Sequence, residues 1–579
     1  MPVQQISVAD AIEHTIQERP ECTALETADG VLSYREFGEQ VREFIGQLEA
    51  LTAPGEFIGI EAIRTSGSIV AMVGALRAGR PFVFIDPRDS GSSNRTKVSS
   101  LGINRVAKSP ALSHPPELVD TPAEWRGDAG ERQLRAPAEL APYQGSVGYA
   151  IHTSGSTGEP KCVLVRTGPL ARMVQDHVRS LELGTKSRTL QFARLTFDGC
   201  ITEILWTLTA GACLVVLGEE QLSPGTVLQA TLEKFRITHL KTTPFALTAT
   251  EPSSAMSLEH VINGGGACRQ AVVQKWSSEA ALHNAYGTTE TTVCNFLSDP
   301  LDPDDCTESV PLGAVVGDCS YDILPLPTAG GDGPTGSQVT RGELVITGES
   351  VAIGYLTAQG LRPFTDGAAS RVYRTGDIVE RRGGQVFFVE RLDRQLKIRG
   401  YRLDPGEIES AACRLDGVVE AVVTAESHEG ADDYAAEALV CYYQGTVTPR
   451  ALRAHLETVL DSYKVPSVIQ QIESLPYTRN GKVDRDALKA SRHSAPEVGE
   501  TGGKTVPPEE QILDLVRHLT GVNDAALNDN FYDIGGDSAS TVILVNKLKE
   551  LGWMDAGVRD VLRAENLKVL ADELRDRGV

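Results

Sequence analysis

Helical stretches alternate with short β-rich runs over residues 1 to about 390, and few architectures accept that order. Residues 57–63 read as a strand, 68–78 as a helix and 81–85 as a strand again. Strands separated by helices point to an α/β fold whose sheets are covered on both faces. A chain of 579 residues is too long for one ordinary core, so further units are expected after this block. The segment 107–145, rich in Pro and charge, reads as an irregular surface excursion. A smaller α/β unit follows, with strands at 418–425 and 436–443 and a helix at 450–460. Residues 491–508 replace the apolar pattern with Ser, Gly, Pro and charge, the composition of a linker. Beyond it Ile512, Val516 and Leu519, and then Leu544, Leu548 and Leu551, repeat at helical spacing and predict a small bundle.

Composition removes several function classes. The formal net charge of −23 makes a poor grip on a phosphate backbone, so nucleic acid is not an expected partner. The apolar run at 69–76 is cut by Arg77, far short of the roughly 20 residues a bilayer span needs. No basic segment leads into an apolar one at the start, which predicts a cytoplasmic location, no membrane and a reducing environment. The ten cysteines lack paired metal-ligand spacing and are expected to be neither disulfides nor zinc ligands.

Chemistry concentrates in His152-Thr153-Ser154-Gly155-Ser156-Thr157-Gly158-Glu159-Pro160-Lys161. Small residues let backbone N–H groups approach an anion, hydroxyls add donors and Lys161 adds charge, which suits a polyphosphate. It lacks the Gly-Lys-Ser/Thr ending of a Walker loop, and a flexible Ser/Gly turn is the other reading of such a run. Five further motifs follow in order: Asn284 to Thr292, Gly342-Glu343-Leu344 with Gly354-Tyr355-Leu356, Tyr373 to Asp377, Arg391 to Arg402, and Asn480 to Arg485. Together with Asp533-Ile534-Gly535-Gly536-Asp537-Ser538 near the C-terminal end, they span most of the chain.

This ordered set resembles the adenylate-forming superfamily, and specifically the adenylation and peptidyl carrier (thiolation) domains of nonribosomal peptide synthetases. The resemblance implies a large N-terminal adenylation core over 1–391 and a mobile C-terminal subdomain over 392–490. A linker at 491–507 and an all-α carrier bundle over 508–579 complete it. It implies ATP, Mg²⁺ and 4′-phosphopantetheine as cofactors. Thr153, Ser154, Gly155, Ser156, Thr157, Gly158 and Lys161 would cradle the phosphates. Glu290 would hold the Mg²⁺, a role that suits a carboxylate toward a hard cation. Tyr286 would stack on adenine, Asp377 would accept from the ribose hydroxyls, and Arg391 would position ribose and phosphate. Singly, Tyr286 also reads as a core aromatic and Asp377 as a turn cap. Lys482, by composition a solvated loop lysine, would stabilise charge as a carboxylate attacks the α-phosphate. Asp393 would be the hinge that exchanges Lys482 for the Lys397 to Gly400 segment, and otherwise reads as a surface Asp. Ser538, which alone reads as a helix N-cap, would carry the phosphopantetheine.

By the same resemblance the amino-acid pocket is formed by Asp198, Gly199, Thr202, Lys241, Ile262, Gly264, Ala285, Val293 and Cys294, with Lys482. Asp198 would pair with an α-ammonium, because a buried carboxylate without a cation is expensive. Thr202 with Lys241 resembles pockets for aspartate, so L-aspartate or a related acidic amino acid is the expected substrate. Lys241 paired with a protein carboxylate, or reaching outward, is the competing reading. Gly199 stands where a bulkier residue is usual and leaves room for a longer or β-substituted side chain. Cys162, Thr288 and Asp404 are milder departures. Expected partners are the amino acid, a phosphopantetheinyl transferase, a downstream condensation or tailoring enzyme and an MbtH-like protein. The rivals are an enzyme that activates a non-amino carboxylic acid and a non-catalytic docking scaffold.

Overall fold

The computed structural model describes the chain except residues 1–5, 110–111, 113, 127–133, 144, 154–160, 307–308, 326–340, 366–369, 393–395, 399–400, 428–436, 477–482, 484, 486–487, 489–507, 521, 523–524, 533, 537, 554–555 and 577–579. Contacts divide it into two compact units, the first running to Arg402 and the second starting at Leu403.

The first unit is α/β, as the alternation requires. Among the described residues its largest sheet has nine strands, and at its centre Arg188–Leu190, His239–Thr242, His260–Asn263 and Ala281–Tyr286 run parallel. A second sheet of eight strands contains Ile58–Glu61, Phe82–Ile85 and Val147–Thr153 paired with Lys161–Arg166. A four-stranded antiparallel sheet includes Val372–Arg382 against Gln385–Arg391. Helix Gly199–Ala210 is apolar on nearly every side and accordingly lies in the core, with Ile201, Ile204, Leu205 and Leu208 all without exposed surface. Gly211 ends it in the left-handed region at φ 73°, a conformation glycine adopts without steric penalty.

The first unit extends beyond residue 391 because Tyr401 packs back onto it. Its ring lies 5.0 Å from that of Phe197, and the Arg194 guanidinium sits 5.7 Å from its centroid. The segment expected to be an irregular excursion is more ordered than its composition suggests. It contributes strands Arg105–Lys108 and Glu117–Asp120 as an antiparallel edge pair, and Trp125 and Leu140 are buried beneath it. Scattered apolar anchors, Leu118, Trp125 and Leu140 among them, hold this Pro-rich stretch to the fold without leaving any periodicity to read.

In the second unit, Val418–Ser427 and Glu437–Gly445 pair antiparallel, Val468–Gln471 adds a parallel strand, and helix Pro449–Val459 covers them. The same unit holds helices Pro508–Thr520, Ser538–Glu550, Val558–Arg563 and Leu567–Asp576, which enclose their own apolar core of Ile512, Val516, Phe531, Leu544, Leu548 and Leu570. Among the described residues no helix is long and apolar enough to cross a membrane.

Candidate active site

The parallel strands of the large sheet end at one place, the position where open α/β sheets bind ligands. Lys241 and Ile262 are register partners near these ends, followed by Gly264, and Ala285 comes from the next strand. Helix Gly199–Ala210 brings Asp198 and Thr202 to the same place, with Asp198 as its N-cap residue. The side chain of Lys241 is half-buried, and its Nζ donates to Thr202 Oγ1 at 2.6 Å and to the Gly199 carbonyl at 3.5 Å. Thr202 Oγ1 in turn donates to the Gly199 carbonyl at 2.8 Å, so its lone pairs face the ammonium. Among the described residues no carboxylate oxygen lies within 4.0 Å of Lys241 Nζ. The lysine therefore does not pair with a protein carboxylate there. Its ammonium lies 5.8 Å from the centroid of the Trp206 ring, a cation–π distance.

Gly264 leaves room for the lysine shaft, and Gly199 lies close against Ala193. A β-carbon on Gly264 would lie 3.4 Å from Lys241 Cε, and one on Gly199 would lie 3.8 Å from Nζ and 3.2 Å from Ala193 Cβ. The apolar wall is Ile262, Ala285, Val293 and Cys294, all buried in one cluster with Ile204 and Trp206. Burial holds the Cys294 thiol protonated, pushing its pKa up to about 12. Val293 adopts φ 70°, in the left-handed region that a β-branched residue rarely enters. Such strain gathers at functional sites, where the surroundings over-determine the backbone. Burial raises the Asp198 carboxyl above its usual range, while a hydrogen bond from Thr289 and the charge of Lys241 pull it back. A cation delivered by a ligand would settle it as a carboxylate.

Asp198 and Thr289 connect this pocket to a second cluster of polar groups. Glu290, next to Thr289, is buried and accepts a hydrogen bond from the Tyr355 hydroxyl at 2.5 Å. The Tyr355 hydroxyl is 3.2 Å from that of Tyr373, and Lys161 Nζ stands 5.1 Å from the Tyr355 ring centroid. Thr153 and Lys161 face each other in register at the ends of their strands, flanking the Ser/Gly run. Asp377 has no exposed surface, and its two oxygens are engaged by the Tyr286 hydroxyl at 2.5 Å and Arg391 Nη1 at 2.5 Å. The structure thus brings Tyr286, Asp377 and Arg391 into one group, and Lys161, Tyr355 and Glu290 into another. Ser154, Gly155, Ser156, Thr157, Gly158, Asp393 and Lys482 lie outside the described residues, and Ser538 opens helix Ser538–Glu550.

These residues fit the groups a polyphosphate chemistry needs. Glu290 offers a hard carboxylate oxygen for a divalent cation, held in orientation by a phenol. Asp377 offers a preformed bidentate acceptor opposite an arginine. Tyr355, to which the sequence motifs assign no role, is the link between Lys161 and Glu290. Its signal is its place in Gly354-Tyr355-Leu356, a short motif between longer ones.

The comparisons with known proteins point to one family. The AMP-binding enzyme family matches residues 12–356, its C-terminal domain matches 407–482, and the phosphopantetheine attachment site matches 510–574. Novobiocin biosynthesis protein H of Streptomyces niveus is 31% identical over 95% of this chain and 93% of its own length. Bacitracin synthase 3 of Bacillus licheniformis is 31% identical over 96% of this chain, which spans only 9% of that protein. Tyrocidine synthase 1 of Brevibacillus parabrevis is 28% identical over 94% of this chain, which spans 50% of it. In fold the chain matches holo-PA1221, described as an NRPS protein containing adenylation and PCP domains, with a TM-score of 0.78, 22% identity and coverage of 99% and 97% of the two chains. The chain belongs to the AMP-binding enzyme family, and its three matched segments make it an adenylation–thiolation didomain of the adenylate-forming superfamily, an ATP-dependent ligase using Mg²⁺ and carrying 4′-phosphopantetheine.

Proposed function

We propose that the chain activates L-aspartate or a closely related acidic amino acid as its aminoacyl-adenylate and loads it onto its own carrier domain at Ser538. The observation that carries this reading is Lys241, an ammonium aimed into an apolar pocket, held by Thr202 at 2.6 Å and lacking a carboxylate partner among the described residues. A half-buried cation of this kind calls for an anion, and a substrate carboxylate supplies one. Asp198 takes the α-ammonium, so each end of the amino acid meets the opposite charge. Gly264 leaves room for the lysine shaft, and a β-carbon at 199 would press on Ala193 Cβ at 3.2 Å, which gives the unusual glycine at 199 a reason within the chain.

The chemistry follows from where charge develops. The substrate carboxylate oxygen attacks the α-phosphorus, the bond to the β-phosphate oxygen breaks, and pyrophosphate leaves. Glu290 would hold the Mg²⁺, which would supply positive charge against the phosphates, and the Tyr355 hydroxyl fixes the orientation of Glu290. Lys161 and Lys482 supply the remaining positive charge. Asp377 exchanges its bonds to Tyr286 and Arg391 for ribose hydroxyls, leaving Tyr286 to face the base. Ser538 would bear the phosphopantetheine, which would supply the thiol that accepts the acyl group with AMP as the leaving group, and Asp393 would be the hinge between the two half-reactions. A phosphopantetheinyl transferase must modify Ser538, and a condensation or tailoring enzyme must consume the product.

The test is ATP–pyrophosphate exchange across a panel of amino, keto and aryl acids. Exchange should be strongest with aspartate or a near relative and should collapse in Asp198→Ala. Preference for a keto or aryl acid, or for an apolar amino acid, would sink the assignment. Absence of exchange with every acid would return the chain to the scaffold reading.

A further inference from the structure

Glu203 lies one turn into the apolar helix that begins at Asp198, with no exposed surface. Its carboxylate points out of the helix to the connection that precedes it. Oε1 and Oε2 accept the backbone N–H of Ala193 at 3.0 and 3.2 Å, and Oε2 also accepts the N–H of Phe192 at 3.1 Å and Gln191 Nε2 at 3.0 Å. From the other side Arg64 donates to the Gln191 carbonyl at 2.8 Å, to Gln191 Oε1 at 2.6 Å and to the Phe192 carbonyl at 2.6 Å. Residues 191–193 are therefore clamped between a buried carboxylate and a guanidinium whose side chain is 5% exposed.

This clamped segment adjoins the pocket residues. A β-carbon on Gly199 would lie 3.2 Å from Ala193 Cβ, and five residues beyond Ala193 the chain reaches Asp198. Burial pushes the Glu203 carboxyl up to about 7 and the charge of Lys241 pulls it back, so the clamp and the pocket ammonium share one electrostatic environment. A carboxylate placed in a core only to be satisfied would find partners on its own helix or in solvent. Here every hydrogen bond it accepts comes from residues 191–193, the segment that ends at Ala193 beside Gly199.

We propose that Glu203 is a positioning residue for amino-acid recognition, pinning residues 191–193 so that Ala193 closes the space beside Gly199 and Asp198 meets the substrate ammonium. The role rests on the amino-acid reading of the site but not on which amino acid is used. It gives the protein a determinant of selectivity that lies outside the residues lining the pocket, in the layer that orients them.

The test uses the full-length chain, wild type and Glu203→Gln, with the amino acid the wild type activates best. Hydrogen exchange of a peptide covering 188–197 should quicken in Glu203→Gln, since the Phe192 and Ala193 amides lose their anionic acceptor. The KM for the amino acid should rise at least about tenfold, the size of one charge-assisted hydrogen bond, with the KM for ATP within twofold. Ala193→Gly, which keeps Glu203, should relax selectivity between small and β-substituted side chains, and the double variant should add little to either single one. Faster exchange with an unchanged amino-acid KM would overturn the proposal, as would equal rises in both KM values. If Glu203→Gln does not fold, unaltered selectivity in Ala193→Gly overturns it. Should the wild type activate no amino acid, the substrate reading falls, and the exchange of 188–197 still decides whether the carboxylate pins the segment.

Discussion

Replacing Lys241 by Met tests the pocket's charge without changing its volume much. Met retains most of the shaft that passes Gly264 and loses only the ammonium. In the wild type Nζ uses one strong hydrogen bond, to Thr202 at 2.6 Å, and one long one, to Gly199 at 3.5 Å, which leaves a donor for a ligand. A substrate carboxylate entering the variant pocket would face Thr202 and apolar walls with no cation. Stripping one partner from a buried ion pair costs about 3–5 kcal/mol, and the half-exposed setting of Lys241 favours the lower end, about 3 kcal/mol. That is a roughly 10²-fold fall in kcat/KM for an acidic substrate. The assay is ATP–pyrophosphate exchange with aspartate, asparagine and an apolar amino acid of similar size. Aspartate should lose about two orders of magnitude, while asparagine and the apolar analogue should hold or gain. Equal losses for all three would mean that Lys241 supports the fold of the pocket and does not read the substrate's charge, and the acidic assignment would fail.

Tyr355→Phe removes the donor that orients Glu290, so the Mg²⁺ concentration for half-maximal exchange should rise about tenfold with the amino-acid KM unchanged, as loss of an outer partner does at metal sites; a magnesium titration checks it. Ser538→Ala should leave pyrophosphate exchange at the wild-type level and abolish acyl loading, and mass spectrometry of the intact chain should show no phosphopantetheine gained. Acid stability should be limited by buried histidines. His177 is 1% exposed and burial pushes its pKa from 6.5 to about 4, while His239, His260 and His283, stacked at centroid distances of 5.0 and 5.2 Å, are pushed down by burial as well. All are held neutral in the fold, so stability is complete above pH 6.5 and is lost as pH falls toward 4, by about 3 kcal/mol for His177 alone. Urea midpoints at pH 7.5, 6 and 5 should decline in that order, and a flat profile would refute the burial argument.

What the sequence makes legible and what it hides divide along physical lines. Lys241 stands out because a charged residue inside Thr238-His239-Leu240-Lys241-Thr242 breaks the expectation for a central strand, and the strand is there, at His239–Thr242. Motif order points to the fold because each motif is a local run whose chemistry does not depend on distant partners. Glu203 carries a comparable signal, one acid within Gly199-Cys200-Ile201-Thr202-Glu203-Ile204-Leu205, but it escapes a reading by pattern. A lone acid on a helix usually lies on the solvated face, and two of its three actual partners, the backbone amides of 192 and 193, have no side-chain identity to betray them. Gly199 reads as room for the substrate, whereas a β-carbon there would meet Ala193 Cβ at 3.2 Å, and its carbonyl accepts a long bond from a lysine 42 residues away in sequence. Contacts of that range are set by the sheet's register, and periodicity does not report them. The edge strands within 107–145 escape notice for the complementary reason, since they are held by isolated anchors such as Trp125 rather than by a repeating face.

The charges of the two halves of the site are arranged differently, and the difference bears on how such a site chooses its substrate. On the nucleotide side the acids are already satisfied: Asp377 by Tyr286 and Arg391, Glu290 by Tyr355. A nucleotide must displace those bonds to make its own, so the exchange is nearly even and favours a ligand that fits without depending on one contact. On the amino-acid side Lys241 keeps an ammonium in an apolar pocket with a threonine in place of a counter-ion. The desolvation of that charge is already met by the folded chain, and a carboxylate that reaches it recovers Coulomb energy that an amide or an alkyl group does not. Discrimination by a pocket built to meet a polar partner is steep, because the wrong ligand leaves that partner buried and unmatched. The selectivity of this enzyme should therefore reside in the amino-acid half of the site, and within it in the sign of one charge.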